Sequence, residues 1–211
     1  MTTGVTLQTY LLQVRRLLRD PNAQFWQDSE LIDYINEGRN YTVGSTGCLR
    51  SVQSVNLVAG QEAYDFSIFT QHTPVIDVLS INLVWGQTKY VLQYKDFTYL
   101  TATLRYQVNY QQQPLAFSVV GQTGFYVSPI PDIVYPIECD TVYMPSALVN
   151  YSDVCPIVYP FNLCVKYYAA YLAQVNGQSY EKSDKMIQLF RDQVNNSLAQ
   201  SYTRRIPDVY S

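Results

Sequence analysis

Residues 7–47 read LQTYLLQVRRLLRDPNAQFWQDSELIDYINEGRNYTVGSTG, and the fold class turns on them. Leu7, Leu11, Val14 and Leu18 recur at spacings of four, three and four, which sets them on one helical face. Arg15, Arg16 and Arg19 lie largely off that stripe, near the last turn, where positive charge suits the helix dipole. Asp20-Pro21-Asn22 ends the helix, because the residue before a proline is pushed out of helical dihedrals. A second helix is predicted from Asp28, which with Glu30 places negative charge in its first turn. Its apolar face is Leu31, Ile35, Gly38 and Thr42, flanked by Tyr34 and Tyr41. Glycine weakens a helix, so Gly38 on that face predicts a close backbone approach. Phe25 and Trp26 are expected to plug the end of the pair.

A hairpin of this size cannot bury its stripe alone, and the last third of the chain supplies the cover. Phe161, Val165, Tyr168, Leu172 and Val175 form a third stripe. Ile187, Phe190, Val194, Leu198 and Tyr202 form a fourth. Pro160 suits the first turn of the third helix and Gly177 its stop, while Ser179 suits the cap of the fourth.

Between the helical pairs the period changes from 3.6 to 2. SVQSVNL at 51–57 alternates, Val58–Gln61 reads as a turn, and Ala63–Phe66 is expected to return as the second strand of a hairpin. VIDVLSINLVW at 75–85 is the longest strand, and TKYVLQY is predicted to pair with it across Gly86-Gln87. Asp96 is placed to cap a short helix over 97–104, and 106–113 reads as a Tyr- and Gln-rich loop. LAFSVVG and TGFYVSP form a second hairpin, and 135–144 is the last strand. The expected fold is therefore α+β: a four-helix bundle body, an inserted antiparallel β-sandwich or barrel module, and an extended C-terminal tail. Its expected divisions are a helical hairpin over 1–49, the β-module over 50–150, a second helical hairpin over 151–203, and the tail over 204–211, where Pro207 bars further helix.

Composition narrows the function. Of the 211 residues, 15% are charged, against the usual quarter, while 20 are tyrosine. A surface short of charge and rich in tyrosine points to oligomerisation. A net charge of −3 argues against a protein built to grip nucleic acid. No run of 18 apolar residues exists for a membrane span, and MTTGVTLQTY has no signal-peptide pattern. Cys48, Cys139, Cys155 and Cys164 have no metal-ligand spacing, so they are read as reduced, mostly buried thiols. His72 is a lone histidine in a loop, no phosphate-cradling glycine motif occurs, and neither a cofactor nor a metal is expected. The carboxylates Asp65, Asp77, Asp132 and Glu138 leave a glycosidase pair open, so a cell-wall glycosidase or a sugar-binding component is the alternative.

RDPNAQFWQDSELIDYINEGRNYT at 19–42, TGCLR at 46–50, VNLVAGQEAYDF at 55–66, GFYVSPIPD at 124–132 followed by Tyr135, and Tyr167, Tyr168, Ala169 and Ala170 in a late helix occur in order. Together they resemble the head-to-tail adaptor (connector) proteins of short-tailed bacteriophages. One departure is Gln27, where the family usually has Ser or Thr, so the cap is expected at Asp28 or Ser29. The resemblance implies a structural virion protein, not an enzyme, assembled in the host cytoplasm and placed in the neck of the virion. It implies a dodecameric homo-oligomeric ring that joins the portal protein to the tail nozzle protein on the opposite face, with DNA ejected through the channel without specific binding and no contact with membrane. It further implies portal docking through the tail, by Arg204, Arg205, Ile206, Pro207, Val209 and Tyr210.

Overall fold

The computed structural model describes residues 4–101, 110–121 and 123–202. It is mixed α+β and divides into two compact units, Met1–Cys48 with Pro145–Ser211, and Leu49–Met144.

The first unit holds the helices α1 (Leu7–Leu18), α2 (Asp28–Thr46), α4 (Asn162–Asn176) and α5 (Tyr180–Tyr202). Thr6 caps α1, its hydroxyl accepting the Thr9 N–H at 3.3 Å. The helix stops at Leu18, before the proline, because Arg19 turns left-handed at φ 58°. Leu7, Leu11 and Val14 are buried, as their spacing requires, and Tyr10 joins them. Arg15 departs from expectation: it is buried, not on the solvent side. Its guanidinium pairs with Asp20 at 3.2 Å and with Asp28, and also donates to the Trp26 carbonyl at 2.9 Å. Asp20 in turn accepts the N–H groups of Gln24, Phe25 and Trp26. The turn between α1 and α2 is thus wound around one ion cluster. Trp26 lies against Gly177, but Phe25 is 81% exposed and plugs nothing. The ion cluster already satisfies the turn, leaving that ring outside.

The α2 cap sits one residue earlier than expected, at Gln27, whose N–H is taken by the Glu30 carboxylate at 3.3 Å. Leu31, Ile35, Gly38 and Thr42 are all buried. A Cβ on Gly38 would lie 3.1 Å from the Val165 carbonyl oxygen and 3.5 Å from the Ala169 nitrogen, so α2 and α4 approach backbone to backbone there. On α4 the buried set is Cys164, Val165, Tyr168, Ala169, Ala170, Ala173 and Gln174, while Leu172 and Val175 are only partly covered. The small alanines allow the close approach that Gly38 begins. Pro160 stands outside α4, ahead of Phe161 at the cap, and its carbonyl accepts the Leu163 N–H. On α5, Phe190 is buried, Ile187, Val194 and Leu198 are partly buried, and Ser183 and Ser197 complete the inward face; the Tyr202 side chain lies outside the described residues.

Two side chains on α2 hold the segment before α4. Asn36 gives its amide N–H to the Leu148 carbonyl at 3.0 Å and accepts the Leu148 N–H at 2.9 Å. Arg39 is 1% exposed and donates to Asn36 at 2.7 Å and to the Ser146 carbonyl at 3.0 Å. Among the described residues no carboxylate pairs with it.

The second unit has, among the described residues, eight strands in two sheets: β1 (Arg50–Leu57), β8 (Tyr135–Tyr143), β3 (Val75–Trp85) and β4 (Thr88–Val91) in that spatial order, and β2 (Ala63–Asp65), β7 (Gly124–Ser128), β6 (Ala116–Val120) and β5 (Gln93–Tyr94) in the other. All pairings are antiparallel except β5 with β6. The β3–β4 and β6–β7 hairpins form, but the expected TKYVLQY strand is cut short: Thr88–Val91 pairs with β3, while Gln93–Tyr94 is β5 and pairs with β6 in the other sheet. The β1–β2 hairpin does not: β1 pairs with β8, and β2 with β7 in the other sheet. Tyr64 explains the change of sheet. Its hydroxyl takes the Val58 N–H at 2.9 Å and gives to the Gln61 carbonyl at 2.9 Å, closing a corner where a flat hairpin turn was expected. On the far side of β2, the Tyr64 carbonyl oxygen would lie 2.5 Å from a Cβ on Gly124, so only glycine lets β7 come this close.

Two register shifts in β3, between Val75 and Asp77 and between Val78 and Ser80, make its buried positions Val75, Val78, Ile81 and Leu83. They join Leu57, Phe69, Phe117, Phe125, Val127 and Ile137 in one core drawn from both sheets. A short helix, α3 (Phe97–Tyr99), follows Asp96, which makes no side-chain cap bond. The rest of the expected 97–104 helix past residue 101, and 106–109 of the expected loop, lie outside the described residues.

Two outcomes follow. Gly38→Leu should overpack the α2–α4 contact and cost about 1–3 kcal/mol, read as a lowered melting temperature. Acid should loosen the helical unit through Asp20 and Asp28. Burial alone would raise the Asp20 carboxyl, but three backbone N–H groups and Arg15 hold it below the usual carboxylate range. Asp28 is lowered chiefly by its hydrogen bond from Arg15. A lowered folded value means that the unfolded chain binds protons first. The stabilisation is therefore complete above the unfolded value of about 3.9 and is lost as pH falls through the folded values. Melting temperature should drop on acidification across that window, with a shallower slope in Asp28→Asn; parallel slopes would remove Asp28 from the cluster's energetics.

Candidate functional site

The carboxylates that left a hydrolase open are each engaged in structure. Asp65 accepts the Ser67 N–H at 2.7 Å, and Asp77 accepts the Val78 N–H at 2.8 Å. Asp132 accepts the Tyr135 hydroxyl at 2.7 Å, and Glu138 pairs with Lys89 at 2.6 Å. His72 is exposed and stacks on Tyr143 with ring centroids 4.5 Å apart, so its ring serves packing. Among the described residues no group of three His, Cys, Asp or Glu is placed to hold a metal, and no helix is long and apolar enough to cross a membrane.

Tyrosine, the residue that composition singled out, takes two roles. The buried set bonds inward: Tyr10 gives its hydroxyl to the Asn162 carbonyl at 3.2 Å, and burial, with the Asp132 carboxylate beside it, pushes Tyr135 up to about 12. The exposed set includes Tyr41, Tyr151, Tyr159 and Tyr180 on the helical unit and Tyr90, Tyr94 and Tyr110 on the β unit. The β unit also carries two recesses. One, of about 530 Å³, is lined by Asp65, Ser67, Thr70, Thr73 and Thr123 over Phe66 and Phe69. The other, of about 380 Å³, is lined by Tyr90, Val91, Leu92 and Leu115 with Lys95. Among the described residues neither recess gathers more than one charged side chain, which suits protein contact more than chemistry. The tail residues Arg204, Arg205, Ile206, Pro207, Val209 and Tyr210 lie outside the described residues.

Sequence reasoning missed the exposed run from Val149 to Tyr159. It alternates as a strand would, with Cys155 and Ile157 buried and Val154 and Val158 outward. Its apolar residues have no helical spacing, and the period-2 signal is only five residues long, which is why it was not seen.

The family model described as SU10 adaptor protein matches residues 5–209, across both units. No curated protein matches the chain.

All four cysteines are free thiols, with Cys48 partly covered and the other three buried. Burial pushes Cys139 up to about 12 and Cys164 up to about 11, and raises Cys48 as well. Alkylation of the native protein at neutral pH should therefore reach Cys48 slowly and leave Cys139, Cys155 and Cys164 untouched until unfolding. Fast native labelling of Cys139, read by peptide mass, would mean that the β-unit core opens.

Proposed function

The chain belongs to the SU10 adaptor protein family, and from that premise we propose that it forms the ring that joins the portal to the tail nozzle and encloses part of the DNA ejection channel. A phage structural adaptor is a non-enzymatic component of the virion, and its place is the neck. The reading rests on a family match that spans nearly the whole chain. The engaged carboxylates support it against the glycosidase alternative, because none is left as an unpartnered acid or base. The finer picture is a dodecamer whose subunits combine a four-helix bundle with a β-sandwich. Mild acidity suits a channel, since a wall without a basic footprint releases no counterions and does not hold the DNA that passes.

The portal partner is proposed to take the tail at 204–211. Pro207 prevents helix there, Arg204 and Arg205 supply charge-assisted donors, and Ile206, Val209 and Tyr210 supply apolar anchors. Deleting 204–211 should leave the melting temperature nearly unchanged and abolish decoration of purified portal rings, seen by electron microscopy. Undiminished decoration would move the docking site to the rest of the chain, and murein turnover by the purified protein would overturn the structural role itself.

A further inference from the structure

Two apolar surfaces of the helical unit stand open, and they lie on opposite sides of α2. The first is a strap, Val149, Tyr151, Val154, Val158 and Tyr159, each more than half exposed. Its one charged residue, Asp153, accepts the Val149 and Asn150 N–H groups, and residues 154–165 contain no lysine, arginine, aspartate or glutamate. The strap is not a loose loop. The Leu7 N–H donates to the Asp153 carbonyl, the Gln8 N–H to the Tyr151 carbonyl, and the Cys155 N–H to the Val5 carbonyl, all within 3.1 Å. The Tyr151 hydroxyl donates to Asp28 at 3.0 Å. A surface fixed in advance loses little entropy on docking. Taking roughly 150–250 Å² for a whole aromatic side chain, Tyr151 and Tyr159 alone expose on the order of 200 Å², and the three valines widen that surface towards the roughly 300–600 Å² of a typical monomer's largest patch.

The second surface is aromatic. Tyr41 is half exposed and stacks on the buried Tyr168 at 4.4 Å, with the buried Phe190 at 5.6 Å, so Tyr41 is the open part of a cluster that is otherwise core. Tyr167 and Tyr171 are partly exposed around the same cluster. The Lys166 ammonium lies 5.1 Å from the Tyr167 ring centroid and the Glu37 charge acts on Tyr168, giving an apolar centre with a charged rim. At 3.6 residues per turn, Tyr41 points about 140–160° away from Asn36 and Arg39, the two residues that hold the start of the strap segment at Ser146 and Leu148.

We propose that the strap of one copy seats on the aromatic face of the next, joining copies head to tail through their helical units. The proposal deepens the ring reading and rests on it. A two-fold contact of either surface with itself leaves the other open. A head-to-tail contact covers both, and by repetition it generates a closed ring where the rotation allows.

The test uses full-length protein and its mass in solution. Wild type should associate; Val158→Asp on the strap and Tyr41→Asp on the aromatic face should each stay monomeric at the same concentration, with Tyr171→Asp standing in for Tyr41→Asp if melting shows that it fails to fold. An equimolar mixture of a strap variant and a face variant should give one-to-one dimers and nothing larger, since one intact pair of surfaces remains. Wild-type association by Val158→Asp, or a mixture that stays monomeric, overturns the proposal. A monomeric wild type also overturns it, while the adaptor reading is judged separately by portal decoration.

Discussion

The guanidinium of Arg15 is the constraint on which the helical unit depends. A buried cation is costly to desolvate, and it persists only where acceptors surround it. Here Asp20, Asp28 and the Trp26 carbonyl do so, and they come from the end of α1, the turn and the start of α2. One side chain thereby fixes the length of the turn and the angle at which the second helix leaves it. Asp28 extends the cluster, because its second oxygen accepts from Tyr151 and ties the strap to the same point. Removing Arg15 would leave two carboxylates, Asp20 buried among them, without their cation, which costs more than the pairs themselves contribute.

That cluster also marks the limit of what the sequence disclosed. The apolar stripes were legible because helical periodicity is written in residues three and four apart: Leu7, Leu11 and Val14, then Leu31, Ile35 and Thr42, are all inside. Gly38 was legible because a glycine on an apolar helix face has few other reasons to be there, and the Val165 carbonyl supplies the reason. Arg15 was not, because its position off the stripe and at a C-terminus has a sufficient local explanation in the helix dipole. Its true partners stand five and thirteen residues away across a turn, a separation to which no periodicity points. Arg39 escaped for a related reason: its partners are a backbone carbonyl at Ser146 and a neighbour on its own helix, and carbonyls leave no trace in composition.

In the β unit the strands were readable and their partners only in part. Neighbouring strands with a tight glycine turn pair locally, so β3–β4 and β6–β7 came out of the sequence. β1 and β2 looked the same, yet β1 runs its full eight residues along β8, about eighty positions later. What redirects it is the Tyr64 hydroxyl closing the corner and the space left by Gly124, and neither signals itself in one sequence. For the candidate site, the sequence exposed the excess of tyrosine and the poverty of charge but not which tyrosines face out. That division depends on packing: Tyr64 and Tyr168 are equally ordinary in their segments until Phe125 and Tyr41 stack on them.

A chain with so little charge must limit where it associates. Among the described residues of the β unit three of the four sheet edges are short, at four, three and two residues for β4, β2 and β5, and β4 carries Lys89. The one long edge, β1, lies beside a surface studded with ion pairs: Arg50 with Asp140 on the neighbouring strand, and Lys89 with Glu138 further across. Exposed pairs of this kind contribute little stability. Their effect is on association, since an apolar partner would have to desolvate them without return. The strap of the helical unit is guarded less: its one charged residue, Asp153, is turned onto the Val149 and Asn150 N–H groups, from 154 to 165 there is no lysine, arginine, aspartate or glutamate to desolvate, and the backbone beneath is already ordered. Selective charge placement, more than total hydrophobicity, thus separates the surfaces that must stay wet from the one that is ready to be covered.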